Sequence, residues 1–361
     1  MKRSKLQRKR IFWILLGALT YFIMRLAARH TFVAEEVYGA FLYPAVRGVF
    51  RYTFGLLPFP ALYLVAVALI YLAYRTAIVP LVKKTWNWKS LLFGIVSTIS
   101  AVFSMFYILW GFNYSRPGVV ERLELFAIPL DTLALQEEFE YATEELLSWT
   151  IKHEDLIKSR LAAFPKKDET ILAEKLKGVV APLGYKDIPR PRGRRLFPKG
   201  ILMRFSTAGI YIPFSGEGHV DAGMLPVQYP FTMAHELAHG YGVTNEGECN
   251  FLAYLTCKAV DDPVIRFSGL LSYWRYVASE YRRRFPEDYK VRFEKLPPLI
   301  TETLMSIREN GQKYPDIMPA LRDRVYDSYL KSNGIEDGLV SYSMIVRMVH
   351  AYRLRQGSAF Q

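Results

Sequence analysis

The sequence predicts a mainly α protein in which three N-terminal transmembrane helices precede an α+β domain with a small sheet. Three observations carry this. Long apolar runs fill the first third of the chain, the composition then turns polar with helical periodicity, and breaker-rich stretches between residues 189 and 225 leave room only for short strands. The chain has 361 residues, 51% of them hydrophobic, so it can bury a sizeable core.

The first apolar segment runs from Ile11 to Met24 and reaches Ala28 if Arg25 snorkels to the interface, which is just enough for the hydrocarbon layer. The second, Phe54 to Tyr74, and the third, Ser90 to Tyr114, carry no charge. Spans are therefore expected at about 11–28, 54–74 and 90–114, with an anchor over 1–112 and a second domain over 113–361. A cleaved signal peptide is the alternative for the first run, but Arg25 and Arg29 interrupt the region where a small-residue cleavage site would fall.

The formal net charge is +13, and its placement matters more than its size. Lys2, Arg3, Lys5, Arg8, Lys9 and Arg10 precede the first run, and Arg75, Lys83, Lys84 and Lys89 join the second to the third. Basic flanks stay on the cytoplasmic side, so the N-terminus is expected inside and everything from about Asn113 onward outside. Trp86, Trp88, Trp110 and Tyr114 lie near span ends, where amphipathic rings prefer to sit. A lipid bilayer is thus the expected partner, and no nucleic acid is expected. Cys249 and Cys257 are eight residues apart on one predicted helix, about 12 Å at the helical rise, too far for a disulfide.

Pro129, Asp131 and Thr132 signal the start of a helix to about Phe164, with Phe139, Ala142, Leu146 and Trp149 on one stripe. A second helix is expected over Glu169 to Val180. Pro189 to Gly200, PRPRGRRLFPKG, reads as a basic loop, a solvated connector in preference to a lipid-headgroup contact. Ile201 to Phe205 and Ile210 to Phe214 read as short strands, and SGEGHVDAGM as a glycine-rich loop leading to a helix opened by Pro230. Asp262 and Pro263 start a helix of about twenty residues, and shorter ones follow Pro298, Pro319 and Leu339.

The helix behind Pro230 carries His235, Glu236 and His239 in the spacing H-E-x-x-H. Positions four apart share a helix face, so both imidazoles can reach one tetrahedral ion, while the neighbouring glutamate points to where a coordinated water would lie. Zinc peptidases use that arrangement, the carboxylate taking a proton from the water and delivering it to the leaving amine. Zinc is the ion expected from this ligand set.

The third ligand is expected at Glu246, with Asn250 four residues on, spaced like the E-x-x-x-D of gluzincin peptidases, in which the later residue braces a ligand histidine. Glu248 is the rival, and Cys249 is a chemically able but less usual donor. Asn245 occupies the third-ligand place of the metzincin pattern, yet an amide is a poor zinc donor. Two histidines and a glutamate leave one position for water, the catalytic layout rather than the structural one. Asp221, Glu236, Glu246 and Glu248 flank the motif too densely for a site inside the bilayer. Strand Ile210 to Phe214 is a candidate edge for extended peptide. His219 and Glu217 are candidate cleft residues, and Tyr342 or Tyr241 could donate to a tetrahedral oxyanion.

The stretch from AGIYIPFSGEGHVDAGM through HELAHGYGVTNEGECNFLAYLTC, with WGFNY after the third run and VYDSYLKSNGIEDGLVSYSMIV near the end, resembles the bacterial membrane-protein family known as domain of unknown function 3810. The resemblance covers nearly the whole chain. It implies three N-terminal spans in the cytoplasmic membrane and a zincin-like domain with His235, Glu236 and His239 in its metal motif. It further implies that Glu246 falls in an acidic stretch and that Lys331, Asn333 and Tyr342 pack near the site. It supplies no substrate.

The leading expectation is a membrane-anchored zinc metallopeptidase acting on peptides or membrane-proximal protein segments, with Glu236 as general base. The alternative is a non-catalytic membrane sensor or assembly factor that retains the metal-binding scaffold, and hydrolysis of a non-peptide amide in cell-wall material is a third.

Overall fold

A computed structural model describes residues 2–83, 87–125, 130–162, 167–185, 188–317 and 344–358. The expected features at Lys84, Trp86, Pro129, Phe164, Pro319, Lys331, Asn333, Leu339 and Tyr342 lie outside the described residues. The chain divides into two units, one comprising Met1–Pro117 with Ile212–Glu217, the other Gly118–Tyr211 with Gly218–Gln361. The break after Pro117 falls five residues beyond the expected boundary, and the first unit gains a short segment from far along the chain.

Among the described residues, the first unit holds three helices long and apolar enough to cross a membrane, Lys5–Ala27, Leu62–Val82 and Trp88–Leu109. The first lies within α1 (Lys2–Ala27), and the third is α5 (Trp88–Leu109). α1 and α5 pack through small residues: a Cβ added at Gly17 would lie 2.8 Å from Ser100 Cβ, and Arg10 Nη1 donates to the Ser90 carbonyl at 2.9 Å. Between them come α2 (Tyr43–Tyr52), α3 (Leu62–Ala73) and the short α4 (Val79–Val82). The second apolar helix begins at Leu62 rather than Phe54, because Pro58 and Pro60 hold the preceding chain out of helical geometry. It then continues past Arg75 through a π-helical turn, Tyr74–Ile78, just ahead of Pro80. The third ends at Leu109 instead of Tyr114, since Trp110 leaves helical geometry and its carbonyl accepts from Asn113 Nδ2 at 2.8 Å.

This unit also buries charge. Arg116 Nε donates to Glu35 at 2.8 Å. Arg47, 1% exposed, donates to the Gly216 carbonyl at 2.6 Å, and Glu217 accepts from the Ala61 amide at 2.7 Å.

In the second unit, α6 (Val119–Arg122) precedes α7 (Thr132–Arg160), capped by Asp131 and kinked at His153, and α8 (Asp168–Val180). Phe139, Ala142 and Leu146 of the predicted stripe are buried. A three-stranded sheet follows, β1 (Arg192–Leu196), β2 (Gly209–Ile212) and β3 (Glu217–Asp221), with β3 between the other two. Here the structure departs from the sequence reading. Part of the basic stretch is strand β1, pinned where Gly193 N donates to Glu169 at 3.1 Å, and the glycine-rich stretch is strand β3. Ile201 to Phe205 is not a strand; Met203–Phe205 is a tight turn.

The core of the unit is α9 (Tyr229–Gly240) and α10 (Glu246–Ala259), packed by α8, α11 (Pro263–Arg284) and α14 (Met344–Ser358), while α12 (Pro286–Glu294) lies on α11 and α13 (Pro298–Gln312) on α7. α11 starts at Pro263, where Asp262 caps the Val264 and Ile265 amides. Fully buried Glu138 of α7 accepts from Tyr273 of α11 and from His350 and Arg353 of α14, which ties the last helix to the core.

Candidate metal centre

Nearly every residue of α9 and α10 is buried, yet the two helices carry His235, Glu236, His239, Glu246 and Glu248. Ionisable groups in such surroundings are costly unless they pair or bind a cation. Their geometry shows how the cost is met.

On α9, His235 and His239 lie one turn apart and direct their Nε2 atoms to the same point, 3.2 Å from each other. Each Nδ1 is committed. His235 Nδ1 donates to Asn250 Oδ1 at 2.8 Å, and His239 Nδ1 donates to the Val243 carbonyl at 2.8 Å. Both partners only accept there, so each ring keeps its proton on Nδ1 and offers the Nε2 lone pair. Gly242, at φ +98°, turns the chain so that the Val243 carbonyl returns to His239.

α10 supplies the third donor. Asn245 Oδ1 accepts from the Gly247 and Glu248 amides at 2.9 and 3.2 Å, so this residue caps the helix and does not face the histidines. Glu246, first in the helix, places Oε2 3.0 Å from His235 Nε2 and 3.5 Å from His239 Nε2. His235, His239 and Glu246 thus form a buried group able to hold a metal ion, with all donor atoms within 4.8 Å of one another. Ligands about 2.1 Å from a tetrahedral ion stand about 3.4 Å apart, and the three separations bracket that value. Two lone pairs and a carboxylate facing one another repel unless a positive charge sits among them, so the donor set fits a divalent cation.

The other expected donors point elsewhere. Glu248 is buried but turned to α6, where it accepts from the Val120 amide at 3.0 Å, and burial raises its pKa. Cys249 Sγ lies 3.4 Å from His239 Nδ1, the nitrogen on the far side of the ring, and burial pushes the thiol up to about 12, so it stays uncharged. The Tyr241 hydroxyl reaches the Ala173 carbonyl of α8 at 3.5 Å. His219 and Glu217 are buried strand residues of β3 rather than loop residues; burial, with Arg194 nearby, lowers the His219 pKa to about 4. Tyr342 lies outside the described residues.

Glu236 stands apart from the three donors. Glycines make its place: a Cβ at Gly209 would overlap Glu236 Oε1 and lie 2.8 Å from Cγ, and one at Gly218 would lie 2.7 Å from Glu236 Cβ. Its Oε2 is buried without a hydrogen-bond partner among the described residues. Burial raises its pKa to about 7, with His235 and His239 opposing and Glu246 adding to the rise. For Glu246, burial is outweighed by His239 and His235, which hold it well below the ordinary carboxylate range. For His239, burial is outweighed by its neighbours, the Glu246 carboxylate among them, which raise it, so a cation at the site competes with a proton held between the ring and the carboxylate.

Sequence reasoning missed four contributors, namely the Val243 carbonyl, Gly209, Gly218 and Tyr276. The Tyr276 hydroxyl lies beside Asn250 and Glu246; burial pushes it up to about 12, Arg275 opposing and Glu246 adding. Gly242 after the second histidine was the visible sign of the first.

A family model described as "Protein of unknown function (DUF3810)" matches residues 38–350. No curated protein and no solved structure matches the chain.

Proposed function

We propose, for a chain that belongs to the DUF3810 family of proteins of unknown function, that it is a membrane-anchored, zincin-like zinc metallopeptidase whose second unit lies outside the cytoplasmic membrane. The observation that carries this reading is the convergence of His235 Nε2, His239 Nε2 and Glu246 Oε2 with both Nδ1 protons tied down. Three protein donors, rather than four, are the number a catalytic zinc uses.

Zinc bound by His235, His239 and Glu246 would supply Lewis acidity to a substrate carbonyl and to water. The chain's own residues do the rest. Glu236 Oε2, buried and unpartnered, is placed to accept a proton from water and to return it to the leaving amine. Its raised pKa suits both halves of that exchange near neutral pH. Asn250 and Val243 hold the two rings in the ligating tautomer. β2 is an outer strand of the sheet, and Gly209 on it touches the space of Glu236, so an extended peptide adding to β2 would pass the carboxylate.

The test uses the purified full chain, its metal content and a mixed peptide library. Glu236→Gln should keep the metal and lose about 10²- to 10⁴-fold in hydrolysis. Bound zinc with hydrolysis unchanged by that substitution would reduce the site to a binding scaffold of a sensor or assembly factor.

A further inference from the structure

The loop behind β1 has a feature that the metal centre does not use. Buried Asp221 gathers it from inside, accepting from the Gly200 amide at 2.7 Å, from Leu202 at 2.7 Å and from Met203 at 3.2 Å. Gly200, at φ +83°, has no room for a Cβ against the Tyr314 ring. Ile317 N donates to the Arg204 carbonyl at 2.9 Å, closing the far end. This fixed loop turns large apolar side chains outward: Phe197 is 51% exposed, Ile201 38% and Phe205 41%. Exposed Lys199 and Arg204 stand among them, and the seventeen residues from Pro189 to Phe205 include six basic and no acidic ones.

Rings and aliphatic chains interleaved with cations match the boundary of an anionic bilayer, where apolar groups enter the acyl region while ammonium and guanidinium groups meet phosphate. A solvated connector needs no such display; Arg190 and Arg192 pair with Glu174 and Glu169 of α8, whereas Lys199 and Arg204 stand exposed among the apolar side chains.

We infer that loop 197–205 is a second membrane contact, a rigid wedge that docks on anionic phospholipid through Phe197, Ile201, Phe205, Lys199 and Arg204. It holds the second unit against the bilayer independently of the spans.

The full chain suits a labelling experiment because Cys249 and Cys257 are wholly buried, so one added surface cysteine takes the dye. Phe197→Cys and Phe205→Cys would carry an environment-sensitive fluorophore, with Ile151→Cys and Val291→Cys as exposed controls on α7 and α12. The protein is reconstituted into phosphatidylcholine vesicles with or without phosphatidylglycerol, each containing nitroxide-labelled lipid. Positions 197 and 205 should shift to the blue and lose emission to the nitroxide when the anionic lipid is present, with the controls unaffected. High salt, or Lys199→Glu with Arg204→Glu, should reverse the loss. Loss no greater than at the controls overturns the inference. So does equal loss in neutral vesicles, or shielding from a water-soluble quencher without lipid quenching, which would mean that protein covers the loop.

Discussion

Glu246 and Glu248 differ by two positions, about 200° around a helix, and the structure gives them separate tasks. Glu246 faces the histidines, while Glu248 holds the start of α6. Glu246→Ala should therefore lower zinc affinity, read by chelator competition, by more than the about 10- to 100-fold that loss of an outer partner costs. Glu248→Ala should leave zinc affinity within about twofold, yet lower unfolding stability by about 1–3 kcal/mol through the amide it abandons. The reverse pattern would reassign the third ligand. The pair of histidines was legible because spacing four fixes a shared face wherever the helix begins. The acid, expected at Glu246 with Glu248 as its rival, was legible only through its spacing to Asn250, because its face depends on the helix start, which the Asn245 cap sets. Gly209 gives a sharper test. Gly209→Ala pushes against the flexible end of Glu236, so the carboxyl moves instead of the strand. Hydrolysis should fall about 10²-fold, as for a reacting group displaced by about 1 Å, while the melting temperature and zinc content stay near those of the parent.

Among the elements, helices announced themselves through their caps. Asp131 and Asp262 start α7 and α11 by accepting from amides two and three residues on, a signal written locally. Strands β1 and β3 gave no such sign. β3, Glu-Gly-His-Val-Asp, is buried at every position, so it lacks the alternation of a half-buried strand, and its glycine reads as loop until Glu236 is seen against it. Asp221 at its end looks like a surface residue until its backbone donors are in place. α8 bears a pH-dependent cost at its first residue. Burial raises Asp168 from its ordinary 3.8 to about 7, Asp262 adding and Arg160 opposing. The folded chain thus keeps a proton there that the unfolded chain has released, so this group's contribution to stability falls as pH rises from about 4 to about 7 and is constant above. Asp168→Asn removes the cost: relative to the parent its melting temperature should rise progressively across that window and differ little at pH 4. A constant difference at all pH values would remove Asp168 as the titrating group.

For the whole molecule, the apolar helices among the described residues mark a membrane protein, and on the proposed reading their number decides on which side the candidate metal centre lies. The N-terminal basic cluster lies before the first helix, and Lys83 and Lys89 lie in or beside the short link between the second and third. The proposed topology puts both on the cytoplasmic side, and two crossings between them make the two signals agree. In the proposed topology a third crossing puts everything after α5 outside. Arg75 does not disturb this, although the second helix carries it inside the apolar run, because a guanidinium seven residues from the end can snorkel toward the same side as Lys83. The buried native cysteines again permit a clean measurement. A cysteine replacing exposed Lys290 on α12 should react with a membrane-impermeant maleimide in intact cells, while one replacing exposed Lys9 should react only after permeabilisation. If Lys290→Cys were protected in intact cells and Lys9→Cys labelled, the hydrolytic reading would survive but its substrates would have to be cytoplasmic. Sidedness and chemistry are thus separable, since the metal centre lies wholly within the second unit while sidedness depends only on the charges that flank the spans.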